Sequence, residues 1–222
     1  MSLKRLPVRH SEYEGEYDQA AAMVVQSLLK QDLDQCLNRA HCLKNGNSAT
    51  VVEMDSLVIK RYNNKSTWHA IKRRLKPTRA YRSWHSAHRL LAHGFHTPKP
   101  IAFLDRRARF PWLRGTSFYI AKFHSSPSII EMPDEQLIAN EIGEHLARLL
   151  QRMRENQLVH GDFKASNFLW ENQQLVMIDL DAMRWDLSSH AFVKAHQKDI
   201  ARLKANWPHG AFREHLDTLI LP

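Results

Sequence analysis

The order of elements expected along the 222 residues predicts an α+β protein in two halves, a β-rich first half and a mainly helical second half. Three stretches carry that reading. ATVVEMDSLVIKRY, residues 49–62, is two β-rich runs meeting at Asp55-Ser56, a hairpin signal. SFYIAKF, 117–123, reads as a strand and could serve as a hinge. From Pro133-Asp134-Glu135 to about Asn156, the apolar residues Ile138, Ile142, Leu146, Leu149 and Met153 recur every three to four positions, which predicts one long amphipathic helix. The division is placed after residue 124. Residues 1–124 form an N-terminal lobe, a helical extension followed by a β-rich part, and residues 125–222 form a C-terminal lobe.

The remaining elements fit that order. Residues 17–30 predict a helix, as do 66–75 and 79–93 on either side of Pro77. NFLW and LVMIDL are short apolar runs joined by the polar turn 171–174, a second hairpin. A last helix is predicted over about 191–206, ahead of Trp207-Pro208. No internal repeat or low-complexity linker interrupts the chain.

Composition narrows the classes. At 43% hydrophobic, a chain of this length can bury a real core. Its two cysteines, Cys36 and Cys42, form no CxxC pair, which favours a reducing compartment. The first residues lack the apolar centre of a signal peptide, and no apolar run approaches the ~20 residues that span a bilayer. A soluble, cytoplasmic protein is expected. The formal charge is +9, unevenly spread: residues 11–55 are acid-rich, whereas 56–104 contain no Asp or Glu and eleven Lys and Arg. A block of one sign describes partners more than fold. Nucleic acid, anionic lipid headgroups and phosphorylated substrates all fit, as does a merely solvated basic face.

The chemistry concentrates in LVHGDFKASNFLW, 158–170, where His160, Gly161, Asp162, Lys164 and Asn167 interrupt an otherwise apolar segment. Asn167 follows Asp162 by five residues, and Asp179 stands twelve further on, at the end of the apolar run LVMI. Asn167 and Asp179 converging from opposite ends of a hairpin suit a hard, oxygen-seeking ion such as Mg²⁺. Asp162 beside them could accept a proton from a hydroxyl. Lys164, on the same side of an extended segment, could balance phosphoryl charge. Far upstream, Lys60 ends the run LVI on the second strand of the first hairpin and would reach a cleft between the halves. A metal, a base and cations are what phosphoryl transfer requires. The plainer alternative is that Asp162 and Asn167 cap a turn and Asp179 ends a strand.

HGDFKASN, IDLD and LVIK correspond to the protein-kinase signatures H-R-D-x-x-x-x-N, D-F-G and V-A-I-K. HGDFKASNFLW, IDLDAMRW and RSWHSAHRLLAHGFHTPKPIAFLDRR, within roughly Leu43 to Trp207, resemble more narrowly the lipopolysaccharide core kinases, the Kdo and heptose kinases and their InaA-like relatives. The resemblance implies a bilobal protein-kinase-like fold, with a β-rich N-lobe and a short, mainly helical C-lobe. It implies ATP with Mg²⁺ as cofactors and a sugar hydroxyl of the lipopolysaccharide inner core as acceptor. By position Asp162 would be the catalytic base, beside the charge-balancing Lys164 read from the residues. Asn167 and Asp179 would be the metal ligands, and Lys60 would contact the α/β-phosphates.

The chain departs from the kinase pattern in three places. LKNGNSATVV, 43–52, holds the position of a glycine-rich loop with Gly46 alone; Asn47, Ser48 and Thr50 could add side-chain donors there. The helix after Lys60 has no Glu and offers Ser83, His85, Ser86 and His88 instead. About forty residues follow Asp179, with no A-P-E segment, so a protein substrate is disfavoured. Asp199 either anchors the loop around Asp162 from a helix behind it or lies exposed beside Lys198 and Arg202. A metal at His85 and His88, with no acid or cysteine nearby, is disfavoured.

The residues therefore predict an ATP-dependent kinase acting on heptose or Kdo of a phosphorylated core glycolipid. Trp68, Ile71 and Leu75 share a helical face rimmed by Lys72, Arg73, Arg74 and Lys76. Residues 65–82 are thus the expected contact with the anionic surface of the inner membrane, unless that face packs on the β-rich lobe. Nucleic acid is the less favoured partner. The alternatives are a kinase of another small hydroxylated metabolite, or a weakly catalytic kinase-like module that binds membrane or nucleic acid.

Overall fold

A computed structural model describes residues 4–63, 77–108 and 115–220. It divides into two compact units, Met1–Arg89 with Pro98–His124, and Leu90–Thr97 with Ser125–Pro222. The first holds strands β1 (Arg5–Pro7), β2 (Tyr13–Asp18), β3 (His41–Asn45), β4 (Ala49–Met54), β5 (Leu57–Tyr62), β6 (Pro100–Arg106) and β7 (Ser117–Lys122). They form one antiparallel sheet in the order β1-β2-β6-β7-β5-β4-β3. Helices α1 (Ala22–Leu29), α2 (Leu33–Arg39) and α3 (Arg79–Ala92) accompany it, the end of α3 lying in the second unit.

Strand alternation explains the packing. Val52, Ile59, Ala102, Leu104, Phe118 and Ile120 point to one face and meet Val25 and Leu28 of α1 and Leu33 and Leu37 of α2. The alternate residues point the other way, where α3 lies. Tyr81 and Trp84 of α3 contact Phe103, with ring centroids 5.4 and 6.0 Å away. The Trp84 indole N–H donates to Glu16 at 3.2 Å. The β4–β5 turn has Asp55 and Ser56 at φ of 51° and 60°, the paired left-handed residues of the tight turn that matches strand twist.

Two expected helices differ. The helix expected from residue 17 begins at Ala22, because Tyr17 and Asp18 pair with Leu6 and Arg5 as strand and Asp18 then caps a 3-10 turn at Ala20. The chain therefore enters with two strands where a helical extension was expected. The expected helix over 133–156 is two helices, α4 (Asp134–Ala139) and α5 (Ile142–Glu155). The break lies at Asn140, which bonds back to Gln136, and at Glu141, left-handed at φ 52°. It lets α5 approach α7 (Ala211–Leu219) closely: a Cβ on Gly143 would come within 2.9 Å of Leu219. The helix expected over 66–75, with its Trp68, Ile71 and Leu75 face, lies outside the described residues.

The second unit has the hairpin of β8 (Phe168–Glu171) and β9 (Gln174–Met177) and helix α6 (Ser189–Lys204), as expected. Its core includes Ile142, Leu146, Met153, Val159, Phe163, Phe168 and Met177, all fully buried. No helix among the described residues is long and apolar enough to cross a membrane.

A network fastens α2 to the sheet. Asp34 accepts from Arg61 of β5 at 2.9 Å and Arg106 of β6 at 2.5 Å, and Arg106 also donates to the Tyr13 hydroxyl. Burial pushes the Asp34 carboxyl up, but the two guanidinium groups outweigh it and hold the group below its ordinary value of 3.8. A carboxyl lowered in the folded state adds stability above its unfolded pKa and loses it as pH falls through the folded one. Asp34→Asn should therefore cost about 1–2 kcal/mol at pH 7. In thermal melts, its deficit against wild type should shrink as the pH is taken below 3.8. An equal deficit at neutral and acid pH would contradict the charge-based account.

Candidate active site

Asp162, Lys164, Asn167 and Asp179 all belong to the second unit. The loop begins at His160, which burial keeps below its ordinary pKa and hence neutral. Its ring is fully buried against Phe163 and Phe168, and its Nε2 lies 3.1 Å from the Ile178 carbonyl. A neutral ring with the proton on Nε2 donates there, tying the start of the loop to the residue before Asp179.

Gly161 explains the middle of HGD. Its φ is +80°, and a Cβ there would stand 2.4 Å from the Ala182 carbonyl oxygen, so glycine alone fits. Its N–H donates to Asp199 Oδ2 at 3.0 Å, and its carbonyl accepts from Arg202 at 2.6 Å. Asp199 is buried on α6, which settles its two sequence readings in favour of the anchor.

The next residue, Asp162, is half-buried and held by cations on both carboxylate oxygens. Lys164 Nζ lies 2.9 Å from Oδ2, and an Arg202 nitrogen 3.2 Å from Oδ1. The Asn167 amide nitrogen donates to the Asp162 carbonyl at 2.8 Å and approaches Oδ2 at 3.4 Å. With Nδ2 so committed, the Asn167 side-chain oxygen is the atom left to meet a ligand. The Asn167 carbonyl accepts from Ile178 N–H at 2.9 Å, which sets Asp179 beside it. Asp179 is left-handed, at φ 59°, and opens the 3-10 turn Leu180–Ala182.

The sequence reading missed Arg202. The signal was present: Asp199 and Arg202 are three apart on one helix, hence on one face, and both reach Gly161.

An amide oxygen and a carboxylate make a hard donor pair. No cluster of three or more His, Cys, Asp or Glu among the described residues is placed to hold a metal alone.

Gly46, Ser48 and Lys60 belong to the first unit. The expected loop at 43–52 is the end of β3, a turn at 46–48 and the start of β4. A Cβ at Gly46 would meet Ala49 O at an ordinary 3.4 Å, so nothing within the unit demands glycine. The turn is held from outside: Asn63 donates to the carbonyls of Gly46 and Ser48 at 3.2 Å each, and Arg79 of α3 to that of Ser48 at 3.1 Å. Thr50, a suggested donor to a ligand, points the other way, toward Asn45 and Arg61. Lys60 sits between Val51 and Tyr119 in the sheet, with Nζ 5.1 Å from the Tyr62 ring centre.

The lipopolysaccharide kinase (Kdo/WaaP) family matches residues 40–214. A 3-deoxy-D-manno-octulosonic acid kinase of Haemophilus influenzae strain PittGG is 24% identical over 111 residues, 48% of this chain and 46% of that protein. Its counterpart from strain Rd is 22% identical over 149 residues, 60% of this chain and 62% of that protein. The matched stretch thus spans about half the length of the first of these relatives. A solved structure of WaaP in complex with acyl carrier protein superposes with a TM-score of 0.57, at 15% identity, over 89% of this chain and 79% of that one. That likeness shows a shared kinase-like fold. With the family matched across most of its length, the chain belongs to the lipopolysaccharide kinase (Kdo/WaaP) family.

Proposed function

We propose that this chain is an ATP-dependent kinase that phosphorylates a sugar hydroxyl of the lipopolysaccharide inner core at the cytoplasmic face of the inner membrane. The observation that carries the reading is the setting of Asp162, in a loop pinned at Gly161 and flanked by Lys164, Arg202 and Asn167. A carboxylate kept merely to cap a turn would accept backbone N–H groups; the contacts at this one are a lysine, an arginine and a side-chain amide. The curated relatives are Kdo kinases, so Kdo is the acceptor to test first, with heptose as the comparison.

In this reading the acceptor hydroxyl gives its proton to Asp162 as its oxygen bonds to the γ-phosphorus. The bond from that phosphorus to the β–γ bridging oxygen breaks, and ADP leaves. Lys60 meets the α- and β-phosphates, and the 46–48 turn lies against them with the Ser48 side chain and the small Gly46. Lys164 and Arg202 orient the base and oppose the charge of the transferred group. Mg²⁺ held by Asn167 and Asp179 would neutralise phosphate charge there. The basic block at 56–104 supports a negatively charged glycolipid in an anionic bilayer as the setting.

Mg-ATP at a hundredfold over its Kd should stabilise the protein by about 2.7 kcal/mol. In a chain of this size that is a rise of roughly 5–10 °C in melting temperature; no shift with millimolar Mg-ATP would count against a kinase. Two carboxylate variants should behave differently. Asp162→Asn should bind Mg-ATP as wild type does and transfer phosphate to Kdo-bearing core glycolipid at least ~100-fold more slowly. Asp179→Asn should lose Mg-ATP affinity itself. Wild-type transfer by Asp162→Asn would remove the base assignment. Separately, replacing Lys72, Arg73, Arg74 and Lys76 by Gln should weaken binding to anionic vesicles, and wild-type binding should fall as salt rises. A wild-type chain indifferent to such vesicles at low salt would end the membrane reading.

A further inference from the structure

The helix after the strand lysine contains no carboxylate, yet it is joined to that strand by a specific contact. Lys60 and Tyr62 are two residues apart on β5 and so share a face. That face is the one α3 covers. The Tyr62 hydroxyl is 2.8 Å from the Ser83 hydroxyl of α3, and both side chains are buried. Two cations approach the Tyr62 ring: Lys60 Nζ is 5.1 Å from its centre, and the Arg79 guanidinium carbon 4.6 Å. Both are within cation–π range. Arg79 in turn donates to the Ser48 carbonyl of the β3–β4 turn.

We infer that Tyr62 is a positioning residue of the phosphate-binding part of the site. It joins Lys60, the 46–48 turn and helix α3 into one unit. The inference rests on the nucleotide reading of Lys60 and Ser48 given above. The reasoning is steric and electrostatic. A lysine has four rotatable bonds and no fixed direction of its own. A ring face held by a hydroxyl bond to α3 gives its ammonium a resting place. The same ring supports Arg79, which holds the turn. Protein kinases fix the strand lysine with a Glu on the following helix. In this chain the link from helix to strand runs through an aromatic ring and a serine, which adds no acid beside the phosphates.

The test is Mg-ATP binding by calorimetry on the purified full chain, with melting temperature measured separately. Tyr62→Leu removes the ring and should raise the Mg-ATP Kd by about tenfold, within what a partly desolvated cation–π contact supplies. Tyr62→Phe and Ser83→Ala break the same bond. Each should raise the Kd about threefold, and the double variant no further. Tyr62→Phe is the decisive one, because it keeps the core volume and should fold even where Tyr62→Leu does not. In a Lys60→Met background, Tyr62→Phe should raise the Kd by clearly less than threefold, because only the route through Arg79 and the 46–48 turn is left. If it weakens Mg-ATP equally with and without Lys60, or changes melting temperature alone, Tyr62 is a packing residue and the inference is overturned. A wild-type chain that does not bind Mg-ATP removes the nucleotide reading and this inference with it. Wild-type binding left intact in every variant removes this inference alone.

Discussion

One hydrogen bond fixes the loop around Asp162: the Gly161 N–H to the buried Asp199 carboxylate. An uncompensated carboxylate at that depth would be costly, so the bond constrains helix and loop together. It requires Gly161 to bring its backbone against Ala182, which only glycine can do at φ +80°. It also makes Arg202, one turn further along α6, a second contact to the same residue. Once Gly161 is fixed between them, Asp162 has a defined direction, and Lys164, Arg202 and Asn167 gather around it. Phe163, fully buried, anchors the other side of the loop.

The same loop shows why a charged segment can interrupt a core. His160 and Phe163 are the buried anchors; between and beyond them, Asp162 and Lys164 stay partly exposed. The segment is therefore neither a strand nor an exposed turn. Its backbone polar groups are met by a buried aspartate, an arginine and an asparagine where a regular ladder would otherwise meet them.

Much of this was legible in the sequence where local chemistry and tertiary structure agree. The hairpins at Asp55-Ser56 and Asn172-Gln173 form where their turn residues tolerate positive φ. The HGDFKASN spacing brought Asp162 and Asn167 into contact as expected. The failures share a cause in long-range contact. Tyr17 and Asp18 sit in a helix-favouring stretch but are claimed by β1 and β6. The periodicity of 133–156 is real and yet hides a break at Glu141, next to Gly143 where α7 packs close. Arg202 lies forty residues from Asp162, and the turn at Gly46 is held by Asn63 and Arg79, neither near it in sequence.

Strand β5 places two adjacent cations in opposite service. Arg61 points to the α1/α2 face, where it pairs with Asp34 and is part of the fold. Lys60 points to the α3 face, against the Tyr62 ring. A one-residue slip of register would exchange them, setting a lysine into the acid network and an arginine toward the helix. The register is secured by Ile59, buried opposite Val52 and Ile120, and by the tight turn at Asp55-Ser56. The absence of acid from 56–104 then has a reading beyond attraction to anionic partners. A carboxylate at 83 in place of the serine would set a negative charge against the Tyr62 hydroxyl, on the ring that Lys60 and Arg79 approach. Serine at 83 bonds to Tyr62 without competing for either cation, so the strand's chemistry and the helix's composition are one constraint.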